Sequence, residues 1–123
     1  MNVSIRTVRH SQQPYTTVGS WRIDGDSLDI LVSRVGNADE EFLIGLHELI
    51  EAYLCHKHGV SHDEVIEFDV EFNKSKKEGE PGNQSDAPYH HEHVYATAIE
   101  RIVAGELGVD WADHDSVGTT VAE

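Results

Sequence analysis

Residues 39–59, DEEFLIGLHELIEAYLCHKHG, decide how the chain is organised. Apolar side chains recur here every three to four residues, the period of one helix face, over a run too long for an ordinary strand. Asp39 stands where an N-cap is needed, and Gly59 where a helix gives way to a left-handed residue. A helix is therefore expected over about 40–58.

Ahead of it the period shortens. Val3, Ile5 and Thr7 alternate with polar neighbours, as in a half-buried strand. Residues 16–23 and 28–33 form two further runs joined through Asp24-Gly25-Asp26, a hairpin signal because Asp-Gly takes the corners of a tight turn. The first third reads as a small antiparallel sheet, ended at Gly36-Asn37.

Beyond the long helix, Ser61 and Glu64 have the spacing of a capping box and open a shorter helix to about Phe72. Residues 73–88, NKSKKEGEPGNQSDAP, carry no apolar period and read as a loop of the length that often borders a functional site. A last helix is expected over 89–107, stopped by Gly108. The fold class is thus α+β: a small antiparallel sheet followed by two main helices and one shorter helix. Residues 1–110 form a single domain, and 111–123 a flexible tail.

The length, 123 residues, suits one domain with a real core. Lys and Arg number 9 against 23 Asp and Glu, a formal net charge of −14, which disfavours nucleic acid and anionic membranes and favours a cationic partner. The expected partner is a protein or peptide of basic character. Cys55 is the single cysteine, so neither an internal disulfide nor a paired-cysteine zinc motif can form. The opening MNVSIRTVRH lacks the apolar run of a signal peptide, and no stretch approaches the ~20 apolar residues of a membrane span. A cytoplasmic location is expected.

The chemistry concentrates on the two long helices. In His47-Glu48-Leu49-Ile50-Glu51, His47 and Glu51 are four residues apart and project from one face, where both can reach one ion. Glu48, about 100° round the helix, is placed as a general base beside such an ion. A zinc site needs a third protein ligand, and the last helix opens Tyr89-His90-His91-Glu92-His93. His93, Ala96, Glu100, Val103 and Leu107 share one stripe, so His93 faces the core, near a helix N-terminus that keeps its imidazole neutral. Glu100, roughly 10 Å further along the axis, can orient a ligand histidine from behind. His90, His91 and Asp69 are alternative ligands.

Other features have simpler readings. His56, His58, His62 and Asp63 suit the end of a helix, and Cys55, Trp21 and Trp111 suit packing. His114-Asp115 resembles the paired residues of HD phosphohydrolases but falls in the expected tail. Magnesium chemistry through Glu48, Glu51, Glu64 and Glu67 would suit an all-helical nucleotide pyrophosphohydrolase; the strands and the histidines argue against it.

A small sheet, an HExxE helix and a later helix offering a third ligand resemble a much reduced zincin metallopeptidase of the gluzincin type. In that family HExxH is completed by a glutamate on a later helix; here Glu51 takes the second slot and His93 the distant one. The resemblance implies a zincin-like domain binding Zn2+, or another divalent metal, through His47, Glu51 and His93, with Glu48 catalytic in peptide or amide hydrolysis. Residues 47–69, with the later Glu-Pro-Gly, Ala-Pro-Tyr and Glu92-His93 segments, also resemble uncharacterised phage and prophage proteins. That second resemblance implies the alternative of a noncatalytic acidic binding or inhibitor protein whose metal is structural or absent.

Overall fold

Three strands precede the first long helix in the computed structural model, which describes residues 1–117. They are β1 (Asn2–Val8), β2 (Gly19–Asp24) and β3 (Ser27–Ser33), in the spatial order β1-β3-β2. The β2–β3 hairpin forms as expected, but with Gly25 and Asp26 at its corners rather than Asp24 and Gly25: Asp24 pairs with Ser27, and Gly25 takes the first corner at φ 59°.

The sheet is mixed, which corrects the antiparallel expectation. β1 runs parallel to β3, with Val3 opposite Leu28 and Ile5 opposite Ile30. The reason lies in the link over residues 9–18. It arches across the end of β3, where the Gln13 side-chain amide donates to the Leu31 carbonyl and the Ser33 hydroxyl, and Ser33 N–H donates to the Val18 carbonyl. The hairpin has already claimed one edge of β3, so β1 takes the other, and the arch returns the chain to the same end for β2. Residue alternation tells which face a strand buries but not which way it runs.

As the middle strand, β3 supplies Leu28, Ile30 and Val32 to the core, all fully buried. Packed on that face is α1 (Ala38–His58), in contact with both β2 and β3. Asn37, rather than Asp39, caps it, its side chain accepting from Glu40 N–H, and Gly59 closes it at φ 77°. Gly45 allows the close fit: a Cβ there would stand 3.3 Å from Ile5 and 3.5 Å from Val32.

The capping box of Ser61 and Glu64 opens α2 (His62–Ser75), which buries Val65, Asp69 and Phe72. After an ordered loop carrying a short 3-10 turn at Pro81–Asn83, α3 (His90–Glu106) packs along α1. Its inward stripe is His93, Ala96, Glu100 and Ala104, whereas Leu107 is exposed, because the helix ends a residue earlier than its pattern suggests.

The expected tail is partly folded, a second correction. Residues Trp111–Asp115 form a further short helix, α4, capped by Asp110, and His114 and Val117 are buried. Residues 118–123 of that expected tail lie outside the described residues. Among the described residues, no helix is long and apolar enough to cross a membrane.

Candidate metal centre

The packing of α1 against α3 brings three donor atoms together. His47 Nε2 lies 3.0 Å from Glu51 Oε2 and 3.2 Å from His93 Nδ1, and His93 Nδ1 lies 3.1 Å from Glu51 Oε2. All three residues are buried, and the trio is the one group among the described residues whose ligand atoms converge in this way. One turn of α1 separates His47 from Glu51, as the helical period demands; His93 arrives from α3, 46 positions from His47.

The triangle fits a metal ion. Tetrahedral zinc with bonds of 2.0–2.2 Å separates its ligand atoms by about 3.3–3.6 Å, a few tenths of an ångström more than the edges here. The donor set, two imidazoles and one carboxylate, matches the three-ligand sets of catalytic zinc.

The surroundings orient each donor. His47 Nδ1 donates to Glu100 Oε1 at 2.7 Å, which directs the lone pair of Nε2 into the triangle. Glu51 Oε1 accepts from the Trp21 indole N–H at 3.1 Å, leaving Oε2 for the centre. His93 Nε2 stands 3.0 Å from Glu80 Oε2, an ion-pair contact without full hydrogen-bond alignment. The loop bearing Glu80 presses on the His93 ring so closely that a Cβ on Gly82 would lie 2.4 Å from Cγ.

Without a metal, protons bridge these short separations. Burial would push the His47 imidazole down, but its bonds with Glu100 and Glu51 raise it well above its ordinary range. Burial likewise opposes the charge on His93, whose contacts with Glu51 and Glu80 lift it to about 9. Glu51 is the counterpart: burial disfavours its charge, yet the bonds from His47 and His93 bring it down to about 2. A metal cation would take the place of the protons shared among these donors, releasing them as it bound.

Glu48 stands beside the triangle with Oε2 3.9 Å from His47 Nε2 and its side chain only 13% exposed. Burial, then the charge of Glu51, raises its carboxyl well above the usual range, strengthening it as a proton acceptor. Gly19 makes room for it: a Cβ there would lie 2.7 Å from Glu48 Cγ. Glu48 and the donor triangle line a cavity of about 500 Å3, whose wall also includes Tyr15, Asp69, Tyr89 and the Gly79–Asn83 segment of the loop.

The other sequence candidates take different places. Glu100 hydrogen-bonds His47, whereas His90 Nδ1 pairs with the Gly82 carbonyl at 2.9 Å. His91 is exposed. Asp69 is held by the hydroxyls of Tyr15, at 2.7 Å, and Tyr89; burial raises it to about 6, against the pull of those bonds. His58 pairs with Glu92, and His62 contacts Asp63.

Sequence reasoning did not single out Tyr15, Glu80 or the hydrogen bond of Trp21. Nor did it place His114, whose Nε2 lies 2.5 Å from the second oxygen of Glu100. Only the indole N–H, which a buried tryptophan ordinarily satisfies, was a signal that could have been followed. No family model, curated protein or solved structure matches the chain.

Proposed function

We propose that the chain is a zincin-like metal-binding domain that holds zinc through His47, Glu51 and His93 and hydrolyses peptide or amide bonds. The observation that carries this reading is the donor triangle, with edges of 3.0, 3.1 and 3.2 Å, opening on a cavity that also contains Glu48. Isolated structural histidines need no such convergence, and a salt bridge needs only one of the two rings.

Zinc bound there would polarise a substrate carbonyl and acidify a water molecule. The remaining work falls to the chain. Glu48 accepts the proton of the attacking water and can return it to the leaving amine. Glu100 and Trp21 hold His47 and Glu51 in register, and the loop over His93 walls the cavity from one side. The carboxylates along that wall, with the net charge of −14, favour a basic peptide as substrate or partner.

The test is metal content of the untagged chain by elemental mass spectrometry, beside His47→Ala and His93→Ala. About one zinc per chain, lost in both variants, is expected. A parent chain that stays metal-free after incubation with zinc would remove the hydrolase reading.

A further inference from the structure

His114 sits four residues into a segment whose sequence gives no periodic signal, yet it is buried to 4% exposure against the rear of the metal centre. Glu100 has two carboxylate oxygens, and each takes one histidine N–H: Oε1 from His47 Nδ1 at 2.7 Å and Oε2 from His114 Nε2 at 2.5 Å. A carboxylate only accepts, so both ring nitrogens are donors. With a single donor the Glu100 carboxylate could turn about its last torsion, a broad one, and let the His47 ring follow. With a donor on either side it is fixed.

Packing alone does not explain a histidine here. Its Nδ1 is buried without a hydrogen-bond partner among the described residues, a desolvation cost that an apolar side chain of similar size would avoid. What such a side chain could not supply is the N–H on Glu100. Independent contacts hold α4 in place: Asp110 caps it, Val117 joins the core cluster, and Arg101 lies 5.5 Å from the Trp111 ring.

We propose that His114 is a positioning residue for the metal centre, acting through Glu100 on His47, so that docking of α4 and binding of the metal reinforce each other. The inference rests on the metal-binding reading above. Removing the outer partner of a ligand histidine weakens metal affinity by roughly 10–100-fold, and removing the partner of that partner acts through the same ring orientation. Coupling is reciprocal: whatever factor α4 docking adds to zinc affinity, zinc adds to α4 docking.

The experiment measures zinc affinity of the full chain by competition with a chromophoric chelator, for the parent, His114→Ala and His114→Gln. Glutamine places an amide N–H near the position of Nε2. The alanine variant should bind about tenfold more weakly, the lower end of what loss of a ligand's direct partner costs, and the glutamine variant should recover to within about threefold of the parent. Hydrogen exchange of the parent supplies a readout that needs no variant to fold: amides over 111–117 should exchange more slowly with zinc than with chelator. An alanine variant within about threefold of the parent overturns the proposal. So does a glutamine variant as weak as alanine, or exchange in α4 that ignores zinc. A parent that binds no zinc overturns the metal reading itself, a result distinct from a zinc-binding parent indifferent to residue 114.

Discussion

Stripped of metal, the protein should lose stability as pH rises from 6.5 to 9, the reverse of what a chain so rich in carboxylates suggests. His93 ionises near 6.5 when unfolded and at about 9 when folded, because Glu51 and Glu80 hold its proton against the opposing effect of burial. A raised folded value means that the folded state binds more protons between the two. Its stabilisation is complete below 6.5 and disappears as pH climbs through 9. Moving the ionisation from 6.5 to about 9 corresponds to about 3 kcal/mol, and His47, raised in the same direction, adds to it. For a domain of this size that is a fall of roughly 10 °C in Tm. Asp69, raised to about 6, has largely titrated before the window opens. Thermal unfolding followed by circular dichroism in chelator, at pH 6.5, 7.5 and 9, measures the fall, and His93→Ala should flatten it. Added zinc should reverse the trend, since the metal requires deprotonated nitrogens. A metal-free Tm that stays level or rises across the window would refute the proton-bridged triangle.

Glu48→Gln should leave zinc stoichiometry unchanged and abolish peptide hydrolysis; turnover that survives in a zinc-loaded variant would take Glu48 out of the reaction. Gly82→Ala forces a methyl group to within 2.4 Å of His93 Cγ, so the loop or the ring must move. It should cost about 1–3 kcal/mol in denaturant unfolding and weaken zinc binding, and parent-like values in both would contradict the close approach.

The part of the site that lies along α1 was legible because helical period fixes it: His47, Glu48 and Glu51 occupy the positions their spacing dictates. His93 and Glu100 were legible as members of one inward stripe, which set His93 apart from His90 and His91. The parallel pairing of β1 was not legible, since direction depends on the arch through Gln13 and Ser33 rather than on alternation. Asn37 took the cap from Asp39 because either side chain can accept a backbone N–H, and a shift of two positions leaves the apolar period intact. His114 was hidden for a different reason. A five-residue helix is too short to show a period, and its burial depends on a partner, Glu100, fourteen positions away.

The bonds around the triangle join residues 42, 46 and 53 positions apart, while Trp21 reaches Glu51 across 30. Closing a loop of about 46 residues at one point removes roughly 4 kcal/mol of chain entropy. Cys55 is the single cysteine, so no covalent cross-link can hold that closure. It is left to the interface of α1 with α3. Contacts so distant in sequence reward the chain only once that closure entropy has been offset, so the donor triangle exists only where the packing of α1 on α3 is complete.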